Sequence, residues 1–80
     1  MIDSSNIKTI GERVLSIRII FNLTQYELAE YLGISQYNIS RIENNKALMN
    51  SDHLIKLHQI FNINIEWLLL GKGAVYSNKK

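Results

Sequence analysis

Apolar residues near the start of the chain recur every three or four positions, the spacing of one face of an α-helix. Thr9 and Glu12 have the spacing of a capping box, in which each side chain bonds the backbone of the other residue at a helix start. Asn22 is suited to follow the helix, because asparagine tolerates the left-handed conformation found there. The sequence therefore predicts a helix over residues 10–21, and its apolar face consists of Ile10, Val14, Ile17 and Phe21.

A second and a third helix follow with little chain between them. Thr24 begins another capping box and Gly33 is a natural terminator, so a helix is predicted over 25–32. Ser35 is then a typical N-cap for a third helix over 36–44. Two short helices are therefore expected to meet across a tight turn.

Two more helices are predicted in the last part of the chain. Asn50 is suited to cap a helix over 51–61, and Asn64 is suited to cap a short one that ends at Gly71. The sequence contains no proline, no internal repeat and no alternating strand pattern. The fold class is therefore expected to be all-α, with about five helices.

Composition then limits the class of protein. With 80 residues, 46% of them hydrophobic, the chain can build one small core. We expect one domain over residues 1–73, while residues 74–80 form a polar tail or the start of a linker; the chain from Lys72 to Lys80 is expected to be loose. Cysteine is absent, which excludes disulfides and thiolate zinc sites.

Hydropathy and charge limit the cellular location and the class of partner. No apolar run approaches the roughly 20 residues of a membrane span, and the N-terminus has no signal-peptide pattern, so a cytoplasmic protein with no membrane partner is expected. The net charge of +2 favours anionic partners only weakly. The function therefore has to be inferred from a local motif rather than from the net charge.

Residues 24–44 meet the requirements of a helix-turn-helix unit, whose second helix lies in the major groove of DNA. Ala29 is small where the two helices cross, and Gly33 permits the turn. In an ordinary helical bundle the outward polar residues would serve only solubility. Here the two caps, the small residue and a face rich in hydrogen-bonding groups together favour DNA binding. The outward residues of the second helix are Gln36, Tyr37, Asn38, Ser40 and Arg41.

This segment resembles the helix-turn-helix of lambda-type phage repressors and Cro proteins, whose pattern runs roughly LTQxxLAxxLGxSxxxIsrxExG. The matching residues are Leu23, Thr24, Gln25, Leu28, Ala29, Leu32, Gly33, Ser35, Ile39, Ser40, Arg41 and Glu43. The resemblance extends from Ile10 to Gly73, because IGERVLSIR resembles the first helix of that family and IEWLLLGKG its last. It implies a five-helix domain that binds double-stranded DNA as a sequence-specific transcriptional regulator, most simply a repressor that occupies a promoter.

The resemblance also implies roles for individual side chains. Gln36 would read adenine through its amide, and Gln25 would contact a phosphate and steady Gln36; alternatively, Gln25 is only an exposed polar residue. Tyr37 and Asn38 could contact bases, phosphates or only solvent. The residues implied as phosphate contacts after the helix are Asn44, Asn45 and Lys46.

Several positions keep open alternatives or depart from the family pattern. Arg41, which follows Ser40 on the DNA-binding helix, could reach guanine or phosphate, or could pair with Glu43 or Glu30. Asn45 stands where the family has glycine, and asparagine keeps the left-handed conformation accessible. The positions at which relatives often carry basic residues or proline are here Ala47, Leu48 and Met49, so a weaker phosphate grip is expected.

The resemblance further implies a substantially buried ion pair between Arg18 and Glu43. The helical pattern independently places Arg18 beside core positions. The apolar segment IEWLLLGKG is explained equally well by core packing and by a homodimer contact on a palindromic operator. The candidate dimer residues are Ile63, Ile65 and Trp67.

Competing chemistries have weak support. His53 and His58 are five positions apart, which does not align them as zinc ligands on a helix, so no metal and no cofactor are expected, and His58 is interpreted as a partly buried packing residue. No nucleophile elbow or phosphate-binding glycine loop occurs, so an enzyme is not expected. Within the same fold, an antitoxin, a restriction-modification controller, or a protein-interaction module that has lost DNA binding are the alternatives.

Overall fold

The computed structural model describes residues 8–77. They form five α-helices, which confirms the all-α prediction. The chain divides between Leu48 and Met49 into two compact units. The first unit contains the first three helices and the second contains the last two; they are α1 (Ile10–Ile20), α2 (Gln25–Leu32), α3 (Gln36–Glu43), α4 (Ser51–Phe61) and α5 (Ile65–Leu70).

Each helix of the first unit begins at a side chain that caps it. The hydroxyl groups of Thr9, Thr24 and Ser35 each accept a hydrogen bond from the backbone N–H three residues later. The two threonines form complete capping boxes. In the first box, backbone N–H groups bond the Glu12 carboxylate and lower its pKa. The helices therefore begin where the sequence predicts.

The three helices of this unit also end in one common way. A left-handed residue follows each helix: Asn22 (φ 57°), Gly33 (φ 73°) and Asn45 (φ 60°). In each case its N–H donates to the carbonyl three residues back, and the next N–H donates to the carbonyl five residues back. Helices α1 and α3 stop one residue before their predicted ends, because Phe21 and Asn44 act as C-caps.

The core of the first unit forms because α3 packs against both α1 and α2. The apolar side chains face inward at the predicted helical spacing, and Ala29 is among them. The buried apolar residues of this unit are Val14, Ile17, Leu28, Ala29, Leu32, Ile39 and Ile42.

In the second unit, Asn50 caps α4, and Asn62 (φ 59°) ends it in the left-handed conformation. His58 is half-buried, and its Nδ1 lies 3.1 Å from the carbonyl oxygen of Ile63. Ile63 is completely buried, so its assignment to an exposed dimer surface is wrong. The buried apolar residues of this unit are Leu57, Phe61, Ile63 and Leu68.

The segment 74–77 is not loose, contrary to the expectation from its polar composition. The N–H of Asn64 donates to the carbonyl of Val75, and the N–H of Ser77 donates to the carbonyl of Asn62, each at 2.7 Å. The amide side chains of both asparagines donate to carbonyls of the same segment. Residues 78–80 lie outside the described part of the chain, and the division at residue 73 stays a prediction.

None of the helices in residues 8–77 has the length and apolar character needed to cross a membrane.

Candidate nucleic-acid interface

Helices α2 and α3 are joined by the tight turn that the sequence predicts. Gly33 ends α2 in the left-handed conformation, and the N–H of Ile34 donates to the carbonyl of Ala29 at 3.0 Å. Ser35 then caps α3 through the N–H of Asn38. Because both ends of the turn are hydrogen-bonded, the direction of α3 relative to α2 is well defined.

The outward face of α3 is polar and accessible. Gln36, Tyr37, Asn38 and Arg41 are exposed, and Ser40 is half-buried between them and the core. The Tyr37 side chain is 72% exposed. Hydrogen-bond donors and acceptors on one face of a short helix match the requirements for contacting base edges and phosphates.

A single carboxylate joins the three helices of the first unit. Glu43, at the end of α3, accepts from Arg18 of α1 through Nε at 2.6 Å and Nη2 at 3.1 Å. Its Oε1 also accepts from the amide of Gln25, the first residue of α2, at 2.9 Å. Arg18 donates once more to the carbonyl of Leu23 at 3.1 Å. The predicted ion pair is therefore present and extends to α2.

This arrangement gives Gln25 a use that the sequence did not indicate. The expected roles were a phosphate contact and support for Gln36. In the structure the amide of Gln25 donates to Glu43 and Gln25 is half-buried, so the alternative that it is only an exposed polar residue is wrong, while the phosphate contact stays a prediction. Gln25 thus supports α3 through its C-terminal end.

Arg41 is neither paired with Glu43 nor with Glu30, so those two alternatives are wrong. Its Nη2 donates to the carbonyl of Lys46 at 2.7 Å, and its guanidinium lies 6.0 Å from the centre of the Tyr37 ring. The side chain therefore braces the loop after α3 and remains exposed.

The carboxylate of Glu30 is used elsewhere, because it accepts from the hydroxyl of Tyr26 at 2.8 Å. This bond raises the pKa of Tyr26, since it stabilises the protonated phenol.

The three residues after α3 are used in different ways. Asn44 Nδ2 donates to the carbonyl of Ser40 at 2.8 Å and so closes its own helix. Lys46 is exposed. The side chain of Asn45 contacts the first turn of α1: its Oδ1 accepts from the N–H of Gly11 at 2.9 Å, and its Nδ2 donates to Thr9 Oγ1 at 3.0 Å.

Gly11 is a structural residue that the sequence analysis missed. A Cβ at this position would lie 2.5 Å from the carbonyl oxygen of Glu43 and 2.6 Å from that of Ile42, so only glycine fits. A signal was present, because glycine is unfavourable inside a helix and often marks a close backbone approach. Helix α1 therefore crosses the end of α3 in backbone contact.

No group of three or more His, Cys, Asp or Glu side chains within residues 8–77 is arranged to hold a metal ion.

Comparison with known proteins places these features in a family. Residues 11–74 match the helix-turn-helix domain family. The chain is 32% identical over 68 residues to the HTH-type transcriptional regulator for conjugative element SXT of Vibrio cholerae, an alignment that covers 85% of this chain and 31% of that protein. It is 34% identical over 67 residues to the HTH-type transcriptional regulator ImmR of Bacillus subtilis, covering 84% of this chain and 52% of that protein.

A solved structure shows the same architecture. The crystal structure of the P22 c2 repressor protein in complex with a synthetic operator matches with a TM-score of 0.74 and 26% identity, covering 81% of this chain and 98% of that one. The chain spans from about a third to half the length of the curated relatives compared above. With residues 11–74 matched to its domain and the fold of a phage repressor around the α2–α3 unit, this chain belongs to the helix-turn-helix family.

Proposed function

We propose that this chain is a sequence-specific DNA-binding transcriptional regulator of the phage-repressor type. It acts in the cytoplasm by occupying its site on DNA rather than by catalysis. The observation that carries the proposal is the exposed polar face of α3, on a helix that Glu43 fixes to both α1 and α2. A helix held in this way presents a constant set of side chains to the major groove. The functions named for the relatives and the operator bound to the P22 repressor support the same conclusion.

Within this proposal, Gln36 is the principal base-reading residue. It is the first residue of α3, and the N-terminal residues of a recognition helix are the ones that contact base edges. Its amide matches the donor and acceptor of adenine N6 and N7. Tyr37 and Asn38 lie on the same exposed turn and complete the base-facing set.

Phosphate contacts come from the other end of the helix. Lys46 is exposed in the loop that Arg41 braces, so its charge is held close to the end of α3. Arg41 keeps further guanidinium N–H groups for DNA beyond the one it gives to this loop. Ser40 lies between the base-facing turn and Arg41 in the sequence, and Asn44 lies between Arg41 and Lys46.

We further propose that the chain binds a palindromic operator as a homodimer. One short recognition helix covers too few base pairs for useful specificity against genomic DNA. Two copies related by a two-fold axis would place their recognition helices about 34 Å apart, one helical turn. Ile65 and Trp67 remain the candidate contacts, because both are only half-buried and Leu70, at the end of the same helix, is 64% exposed.

The test is selection of bound duplexes from a random library, followed by titration of the selected operator and of a shuffled duplex at several salt concentrations. We expect tighter binding to the operator, and affinity that falls linearly on a log-log plot against salt. Footprinting should show two half-sites one turn apart, and sedimentation should give two protomers per duplex. Equal affinity for both duplexes would exclude sequence-specific regulation, and a single protected half-site would exclude the dimer.

A protein-interaction module is the second candidate, and one observation favours it. Leu48, two residues after Lys46, is 87% exposed where a basic residue would strengthen a phosphate contact. Absence of any selected duplex, together with no salt-dependent DNA binding, would support that function instead. An antitoxin or a restriction-modification controller would bind DNA in the same test and would be distinguished by a protein partner or by its regulated promoter.

A further inference from the structure

The end of α3 is attached to α1 at two separate places. Arg18, near the C-terminal end of α1, holds the side chain of Glu43. Asn45, two residues later, holds the first turn of α1 through Gly11 and Thr9. Since the two attachments lie at opposite ends of α1, together they restrict rotation of α3 as well as its distance from α1.

Asn45 provides a hydrogen-bond acceptor for a backbone N–H that has no acceptor within its own helix. The N–H of Gly11 belongs to the first turn of α1, where backbone donors have no acceptor in their own helix. Its acceptor here is the Oδ1 of a residue 34 positions later in the chain. The hydroxyl of Thr9, which already caps α1, accepts the second bond from Asn45.

The backbone of Asn45 does not explain why asparagine stands there. At φ 60° the residue is in the left-handed conformation, which glycine adopts with less cost. The side chain is therefore accounted for by its two hydrogen bonds to α1. A glycine at this position would keep the helix end intact and remove only those bonds.

We propose that Asn45 is a positioning residue for DNA recognition, which locks the exit of α3 to the start of α1 so that the base-facing turn and Lys46 meet DNA in one fixed orientation. This inference rests on the proposed function. In the folded chain the two bonds order the end of α3 before DNA arrives. Without them, that ordering has to occur during binding, and it reduces operator affinity.

Loss of the Asn45 hydrogen bonds should have a smaller effect on the affinity for nonspecific DNA than on the affinity for the operator. A shuffled duplex offers no set of base contacts that requires one register, so loose orientation of α3 costs little there. Loss of a direct phosphate contact, by contrast, would weaken both duplexes equally. The ratio of the two affinities therefore separates a positioning role from the phosphate contact that the family resemblance implies for Asn45.

The experiment compares the full chain with Asn45→Gly. Asn22→Gly is the matched control, because it makes the same change at the same left-handed position after α1 (φ 57°). Asn22 takes no part in the clamp, by which we mean the two hydrogen bonds that join Asn45 to Gly11 and Thr9. All proteins are titrated with the selected operator and the shuffled duplex at a temperature at which circular dichroism shows them fully folded. For Asn45→Gly we expect operator affinity to fall about five- to tenfold, the size of ordinary hydrogen bonds, with unchanged affinity for the shuffled duplex. The control should retain both affinities.

Two further measurements connect the effect to α1. Hydrogen exchange at the Gly11 amide, measured without DNA, should accelerate in Asn45→Gly and not in the control. Thr9→Ala removes the acceptor at the other end of the clamp, and combined with Asn45→Gly it should lower operator affinity by less than the sum of the single losses. Thr9→Ser keeps the hydroxyl and should retain wild-type affinity.

The outcomes are distinguishable. If the wild-type chain does not discriminate between the two duplexes, the proposed function fails and the positioning role fails with it, while hydrogen exchange still reports whether the clamp forms. If the wild-type chain discriminates and Asn45→Gly has the same affinity ratio, only the positioning role is overturned. Equal losses on both duplexes would also overturn it, in favour of a phosphate contact.

Discussion

The guanidinium of Arg18 and the carboxylate of Glu43 meet in a two-pronged contact, with Nε and Nη2 donating to the two carboxylate oxygens at 2.6 and 3.1 Å. Burial is unequal across the pair: the Arg18 side chain is 19% exposed and that of Glu43 only 6%. The remaining partners are unequal as well. If Arg18 were replaced, Glu43 would keep only its hydrogen bond from Gln25. If Glu43 were replaced, Arg18 would keep its hydrogen bond to the Leu23 carbonyl and some contact with water.

The two single substitutions should therefore differ in cost. Arg18→Met leaves the more deeply buried charge without its counterion, so we expect a loss of about 3–5 kcal/mol in the free energy of unfolding. Glu43→Leu should lose less, about 1–3 kcal/mol, because the guanidinium can remain partly solvated. The double variant should lose less than the sum. Urea denaturation of the four proteins measures this; single losses below about 1 kcal/mol would mean that the pair behaves like a surface salt bridge.

Gly11→Ala is a test in which helix propensity and packing predict opposite changes in the free energy of unfolding. Within a helix, alanine is favoured over glycine by about 1 kcal/mol. At this position, however, the added Cβ would lie within 2.6 Å of the carbonyl oxygens of Ile42 and Glu43. We expect the clash to dominate and to lower the free energy of unfolding by about 1–3 kcal/mol. Increased stability in thermal or urea unfolding would show that α1 can move away from α3 at no cost.

The parts of the fold that the sequence predicts well are those with local causes. The hydroxyl and amide caps at Thr9, Ser35 and Asn50 set where helices begin, and the left-handed residues Asn22 and Gly33 set where they end. These interactions span three to five residues, so their spacing is visible in the chain. The resemblance to repressors added the Arg18–Glu43 pair, which spacing alone does not reveal.

The parts that could not be predicted depend on contacts between distant segments. Nothing near Asn45 in the sequence shows that its amide will bond the first turn of α1. The resemblance gave Gln25 a phosphate contact and the support of Gln36, but its hydrogen bond to Glu43 follows only from the crossing of α2 and α3. Ile63 was grouped with Ile65 and Trp67 as a candidate dimer contact, although the fold buries it completely.

The pairing of residues 74–77 should contribute to stability. A chain that ends at Gly73 would lose the backbone bonds from Asn64 to Val75 and from Ser77 to Asn62, with the two side-chain bonds beside them. We expect a loss of about 1–2 kcal/mol in the free energy of unfolding, because the entropy of ordering the segment offsets part of the hydrogen bonding. A chain that ends at Ser77 keeps all four bonds and is the control. Identical unfolding midpoints for the two truncated chains would contradict this role.

His53 should make stability depend on pH. Its Nδ1 accepts from the N–H of Asn50 at 3.3 Å in the capping box of α4, which requires a neutral ring nitrogen. Burial lowers the pKa of His53, and Lys56 adds to this, while Asp52 opposes it. The unfolded state, with a pKa near about 6.5, therefore binds the proton more readily than the folded state. Stability from this group is complete above that pH and is lost as the pH falls through the lower folded value.

The measurement for His53 is urea denaturation between about pH 5 and 7.5, beside His53→Gln. Glutamine can keep the capping box but does not titrate. We expect the wild-type protein to lose more stability than His53→Gln on acidification, because all other ionisable groups are common to the two proteins. Parallel profiles of the free energy of unfolding against pH would show that protonation of His53 does not weaken the cap of α4.

The alanine substitutions of Gln36 and Lys46 should weaken DNA binding in different ways. Both are exposed, so neither substitution should affect folding, and affinity can be compared directly. Gln36→Ala should cost about 1–3 kcal/mol of operator affinity, relax the preference at one base pair and leave shuffled DNA unaffected, because it removes a contact to base edges. Lys46→Ala should weaken both duplexes equally and reduce the slope of log affinity against log salt by about one, because one phosphate contact is lost. Equal losses on both duplexes for Gln36→Ala would remove it from the base-reading set, and an unchanged salt slope for Lys46→Ala would place its ammonium group away from the DNA backbone.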